Sequence, residues 1–247
     1  MPSQKAKAHS LKKVAKKVVV KKIKKTELEA FSKGQDVFDM MEDQEVMSSQ
    51  RMLKMMMDGK KEAKKEVLGK MGSATDTKTP LLIMFASDLS GEKIHFPEQS
   101  LYKLLEGLLV LNLKIIIVSG QQRSDLNNLS ELPEHAENHI IWYNPKQDNS
   151  GHGREEKEID RLLLACDMAL VFDRQHDLLK LLMKYGVVII GEEASPFLEN
   201  YHPNTESGNA FTYPRRDLWS IFATLVRALE TYKFPYDWQN IVRKILK

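Results

Sequence analysis

Residues 167–190 read DMALVFDRQHDLLKLLMKYGVVII. MALVF (168–172) and VVII (187–190) are short, continuously apolar runs, and 177–185 between them has helical character. Strand, helix, strand in that order is the unit from which parallel sheets are built. A strand apolar throughout, rather than at alternate positions, is one covered on both faces.

The alternation extends both ways. LLIMFAS (81–87), KIIIVS (114–119), HIIWY (139–143) and AFTY (210–213) are further predicted strands, and 98–111, 155–165 and 217–232 further predicted helices. The expected fold is α/β: a doubly wound, mostly parallel, Rossmann-like sheet over residues 81–247. Ligands of such sheets sit at the carboxyl ends of the strands. The loops after residues 87, 119, 143, 172, 190 and 213 are therefore where function is expected.

The front of the chain differs. Residues 1–25 hold ten lysines and no acid, and are expected to form a solvated tail. Leu11, Val14, Ala15 and Val18 follow helical spacing, so the tail also fits an anionic membrane surface, nucleic-acid phosphates or an organelle-targeting segment. Residues 26–72 read as helical, with Thr26 and Glu29 as a capping box, and eight methionines fall between 40 and 71. A Met-rich face is usually buried helix surface, and is also suited to a protein partner. The glycines at 69 and 72 and the polar run SATDTKT mark a linker over 73–80.

Net charge is +3, unevenly spread. Residues 1–80 carry 19 Lys/Arg against 11 Asp/Glu, and residues 81–247 carry 18 against 23. The basic character therefore belongs to the front, and the expected globular part is mildly acidic. The single cysteine, Cys166, excludes an internal disulfide framework and a multi-cysteine zinc site, and fits a reducing, cytoplasmic setting. No apolar run approaches the ~20 residues that span a bilayer, and no apolar h-region follows the N-terminal charges.

Ala165-Cys166-Asp167-Met168, Lys184-Tyr185-Gly186, Tyr201, Thr205, Gly208 and Phe211, then Ala228-Leu229, Tyr232 and Trp238 in a terminal helix, form an ordered set. Together they resemble the C-terminal, ADP-glucose-binding half of bacterial-type glycogen and starch synthases, retaining glucosyltransferases of the GT-B fold. SDLSGEK (87–93) resembles that family's SRLTxQKG. The likeness covers roughly residues 79–247 in the family's order. It implies a nucleotide sugar or an α-glucan as ligand, with Lys93, Ser87, Gly120, Tyr201, Thr205 and Gly208 as candidate contacts. In ENYHPNTESGNAFTY (199–213), Gly208 is expected to free the backbone to turn, with Phe211 and Tyr213 facing the core.

The same comparison implies eroded chemistry. A sugar diphosphate needs a cationic clamp. Lys93 is kept, but Asp88 stands where the family has arginine. The family's glutamate-bearing loop corresponds to DRQHD (173–177), which is shorter and supplies no match, so no catalytic residue is assigned. Its glycine turn is replaced by GEEAS, with Glu192 and Glu193 in place of glycines. Residues 1–78 are too short and too Lys- and Met-rich to supply the second GT-B domain.

The remaining constellations read as structural. GHGR (151–154) is expected to be a loop before a helix starting near Glu155. His135 and His139 do not share a helix face, and no metal site or cofactor is expected. Cys166 reads as a small core residue, and Trp219, Phe222 and Trp238 as packing residues. Three functions stay open: a catalytically degenerate synthase-like domain used for binding or assembly, an active glucosyltransferase working with a partner chain, and a nucleic-acid-associated protein acting through its lysine tail.

Overall fold

A computed structural model describes residues 37–70, 76–85, 98–118, 136, 139–143, 151–172 and 176–247. The chain divides into two compact units, Met1–Met52 and Leu53–Lys247. The first contributes the opening turns of helix α1 (Val37–Lys70). All that follows concerns the second.

Six parallel strands form one sheet: β1 (Leu81–Phe85), β2 (Lys114–Val118), β3 (Ile140–Tyr143), β4 (Met168–Leu170), β5 (Val188–Glu192) and β6 (Ala210–Tyr213). Their order is β3-β2-β1-β4-β5-β6. This is the doubly wound order of Rossmann-like sheets, with its switch point between β1 and β4. The helices are α2 (Glu98–Leu108), α3 (Gly151–Ala165), α4 (His176–Lys184), α5 (Leu218–Tyr232) and α6 (Pro235–Ile245).

The strands are central because their side chains are almost wholly apolar, with the charged Lys114 and Glu192 confined to strand ends. Every residue of β1 and β6 is buried. Alternate positions feed two cores. Leu82, Met84, Ile115, Ile117, Phe211 and Tyr213 face the layer of α2, α5 and α6. Leu81, Ile83, Phe85, Ile116 and Ile189 face α3, α4 and the end of α1. That helix reaches both layers: Leu53 joins the first core, and Ala63, Val67 and Leu68 join the second.

Helix ends follow local chemistry. Gly186, at φ 59°, ends α4. Its N–H donates to Met183 O at 2.9 Å, and Val187 N–H donates to Leu182 O at 3.1 Å, the paired bonds of a Schellman cap. Asp217 caps α5 by accepting from Ser220 N at 2.9 Å. Pro235, with its φ preset and no N–H to lose, opens α6.

Two boundaries and one side chain differ from expectation. α3 begins at Gly151, so GHGR is its first turn rather than a loop. β5 runs on to Glu192 because Glu192 pairs with Tyr213 of β6, which places that residue in the sheet rather than in a turn. Trp219 is 76% exposed and is not a packing residue, whereas Trp238 is 3% exposed and lies in the core. Among the described residues, no helix is long and apolar enough to cross a membrane.

Candidate functional site

The carboxyl edge is where this sheet order gathers its ligand loops. Ser87, Asp88 and Lys93 after β1, Gly120 after β2, and Asp173 after β4 lie outside the described residues. The ends of β5 and β6 and the start of α4 are described.

At the end of β5 the backbone is already committed. Glu193 N–H donates to Tyr213 O at 3.0 Å, and Ser195 N–H donates to Glu192 O at 3.1 Å. A Cβ on Gly191 would stand 2.6 Å from Leu198 Cδ1, so side-chain packing fills the space above that glycine. Glu192 carries its carboxylate at the edge, 3.4 Å from the Arg216 guanidinium. Glu193 is exposed. Ser195 is buried, and its Oγ has no hydrogen-bond partner among the described residues.

Beside it, Tyr213 donates its hydroxyl to Val171 O at 2.9 Å, tying β6 to the segment after β4. Burial pushes that phenol up to about 12, so it stays a donor at neutral pH. Arg215 pairs with Asp217 at 3.3 Å, and Trp219 projects into solvent one residue into α5. His176 opens α4 and packs on Phe197, with ring centroids 3.8 Å apart. Asp177, in the first turn of α4, suits the positive end of the helix dipole.

Tyr201, Thr205 and Gly208 lie elsewhere. The loop after β5 must return to the amino end of a parallel β6, and these residues make that return. Tyr201 N–H donates to Ala210 O at 2.7 Å, at the first residue of β6. Its buried hydroxyl donates to Asp237 Oδ1 of α6 at 2.7 Å, and burial together with that carboxylate raises its pKa. Thr205 is exposed and shares a hydrogen bond with Ser207 at 2.8 Å. Gly208 has φ 93°, and any Cβ there would collide with the Asn200 carbonyl. Glu206, itself at φ 50°, accepts from Asn240 Nδ2 at 2.9 Å and Tyr236 Oη at 3.3 Å, while Lys244 reaches its backbone carbonyl. The segment 199–209 thus fastens α6 to the amino end of the sheet.

A polar cluster that the local sequence does not announce is buried at that same end. Lys64 Nζ lies 2.5 Å from Asp167 Oδ2, which also accepts Leu81 N–H at 2.8 Å. Lys60 donates to Cys166 O at 2.6 Å. Burial lowers the Lys60 pKa to about 8 and pushes the Cys166 thiol up to about 12, so this cysteine is no nucleophile. His139 Nδ1 lies 3.3 Å from Leu113 O. Among the described residues, no three or more His, Cys, Asp or Glu side chains are placed to hold a metal ion.

No family model matches the chain. Among solved structures, a crystal structure of a GtfA/B complex is similar with a TM-score of 0.42 and 10% sequence identity. The match covers 68% of this chain and 32% of that one, so the chain spans about a third of its length. The fold assignment here rests on the sheet order and pairing themselves.

Proposed function

We propose that this chain is a catalytically degenerate relative of the nucleotide-sugar-binding half of glycogen and starch synthases, serving in binding or assembly rather than glucosyl transfer. The observation that supports this most is the hydrogen bond from Glu193 N–H to Tyr213 O at 3.0 Å. In the family this chain resembles, the corresponding turn offers bare glycine amides to the donor. Here that amide is spent inside the sheet, and two carboxylates, Glu192 and Glu193, stand at the same strand end. Arg216 offsets one of them, but it does so as an exposed pair worth little. An anionic sugar diphosphate would meet like charge at that strand end, where the Glu193 amide is already taken.

Lys93, with Ser87 six residues before it, is the cationic contact this reading keeps for any residual nucleotide binding. The test is glucosyl transfer from ADP-glucose and UDP-glucose to glycogen, followed by ADP or UDP release. Background-level turnover with both donors is expected. Transfer that disappears in Lys93→Ala would establish an active glucosyltransferase and end this reading.

A further inference from the structure

A cavity of about 580 Å³ opens at the amino end of the sheet, away from the carboxyl edge discussed above. Pro80 precedes β1, Leu111 precedes β2, Leu229 and Trp238 come from the α5–α6 corner, and Met57 comes from α1; all line it. Leu229 and Trp238 are 8% and 3% exposed, so the lining is continuous with the core. Val110 also lines it yet is 81% exposed, which gives the opening an apolar lip. The volume falls among those of small-molecule sites, ~300–1,000 Å³.

The polar groups of the lining carry one sign in excess. Lys78 and Lys233 line the cavity with a single carboxylate, Glu230, which Lys233 engages at 2.7 Å. Lys78 is exposed and forms no ion pair among the described residues, and the Asp76 carboxylate, which accepts its backbone N–H at 2.9 Å, stands close by. Lys54 and Lys61, three before and four after Met57 in α1, are exposed on the same side of that helix, with Asp58 exposed between them. An apolar hollow with a cationic rim rewards a molecule that buries a hydrophobic body and leaves one negative charge at the mouth.

We propose that this cavity binds a small anionic amphiphile, an aromatic or medium-chain apolar body bearing a single acidic group held by Lys78 and Lys233. Val226 and Leu229 of α5 would contact the body, with the buried edge of Trp238 at the floor. The site depends on neither a nucleotide sugar nor the carboxyl edge, so it stands apart from the function proposed above.

The test is fluorescence titration of the full chain with 1-anilinonaphthalene-8-sulfonate, an anionic aromatic probe, with decanoate and decylamine as competitors. One saturable site is expected, displaced by decanoate and not by decylamine. Val226→Trp, which fills the hollow, should weaken the probe at least about tenfold, as should Lys78→Glu combined with Lys233→Glu, by replacing attraction with repulsion. Circular dichroism shows whether each variant is folded, and the two surface glutamates decide the matter if Val226→Trp is not. Unsaturable binding, displacement by decylamine, or wild-type affinity in either folded variant would overturn the proposal.

Discussion

Lys64 and Asp167 form an ion pair almost out of solvent, Nζ to Oδ2 2.5 Å, with side chains 3% and 11% exposed. The pair joins the end of α1 to the start of β4, and the Asp167 carboxylate also receives Leu81 N–H at the start of β1. One carboxylate therefore locks a helix and two strands together. Removing only the cation leaves that carboxylate buried without its counter-charge. Lys64→Met should cost about 3–5 kcal/mol. Adding Asp167→Asn, which removes the charge and keeps an acceptor for Leu81, should recover part of that loss. Urea unfolding of the two variants measures both; equal losses would show that the lone charge is not the cause.

Lys60 gives the stability a pH dependence of definite sign. Its pKa is held at about 8 in the folded protein, chiefly by burial, against 10.5 for a lysine free in water. Between those values the unfolded chain binds more protons, so stability from this group rises with pH, and below about pH 8 its penalty is constant. Cys166, raised from 9.0 to about 12, acts in the opposite direction above pH 9, so the comparison must be differential. Relative to Lys60→Met, the wild type should gain about 2 kcal/mol between pH 8 and 9.5. Parallel curves for the two proteins would mean that Lys60 does not titrate in this window.

Two glycines separate backbone necessity from local crowding. Gly208 combines a positive φ with contact to the Asn200 backbone. Gly208→Ala should destabilise by about 2–4 kcal/mol. A Cβ on Gly191 clashes with the end of the Leu198 side chain at 2.6 Å, which can move, and makes an ordinary contact with Ile189 Cγ2 at 3.5 Å. Gly191→Ala should cost clearly less, and thermal melts of both variants would rank them.

The tryptophans divide as cleanly. Trp238 packs against Tyr232 and Phe211, with centroids 5.0 and 6.4 Å away. Trp238→Ala should cost about 3–5 kcal/mol. Trp219→Ala should stay within about 0.5 kcal/mol, because its ring is in water. A large loss at Trp219 would mean that it packs against something in solution.

What could be read from the residues follows from what makes the elements. KIIIV and VVII announce strands because unbroken β-branched runs have no other comfortable home. Lys184-Tyr185-Gly186 falls at the expected helix end because only glycine takes φ 59° freely. Lys60 and Lys64 were illegible: inside KKEAKKE they look like one more solvated charged face, and only Asp167, about a hundred residues away, makes their burial intelligible. Trp219 was misread because an aromatic beside helical apolar positions carries no mark of which way it points. The extension of β5 to Glu192 depended on its pairing with Tyr213, which local sequence does not encode. Tyr201, Thr205 and Gly208 stand together in sequence with the family's pattern, but a parallel β6 requires their loop to return to the amino end of the sheet.

We propose that the carboxyl edge does not accept a sugar diphosphate. Isothermal titration of the full chain with ADP-glucose, at low ionic strength where attraction would be strongest, addresses it most directly. No saturable heat at micromolar to high-micromolar ligand is the expected result. A one-to-one isotherm with a micromolar Kd, abolished by Lys93→Ala, would contradict it.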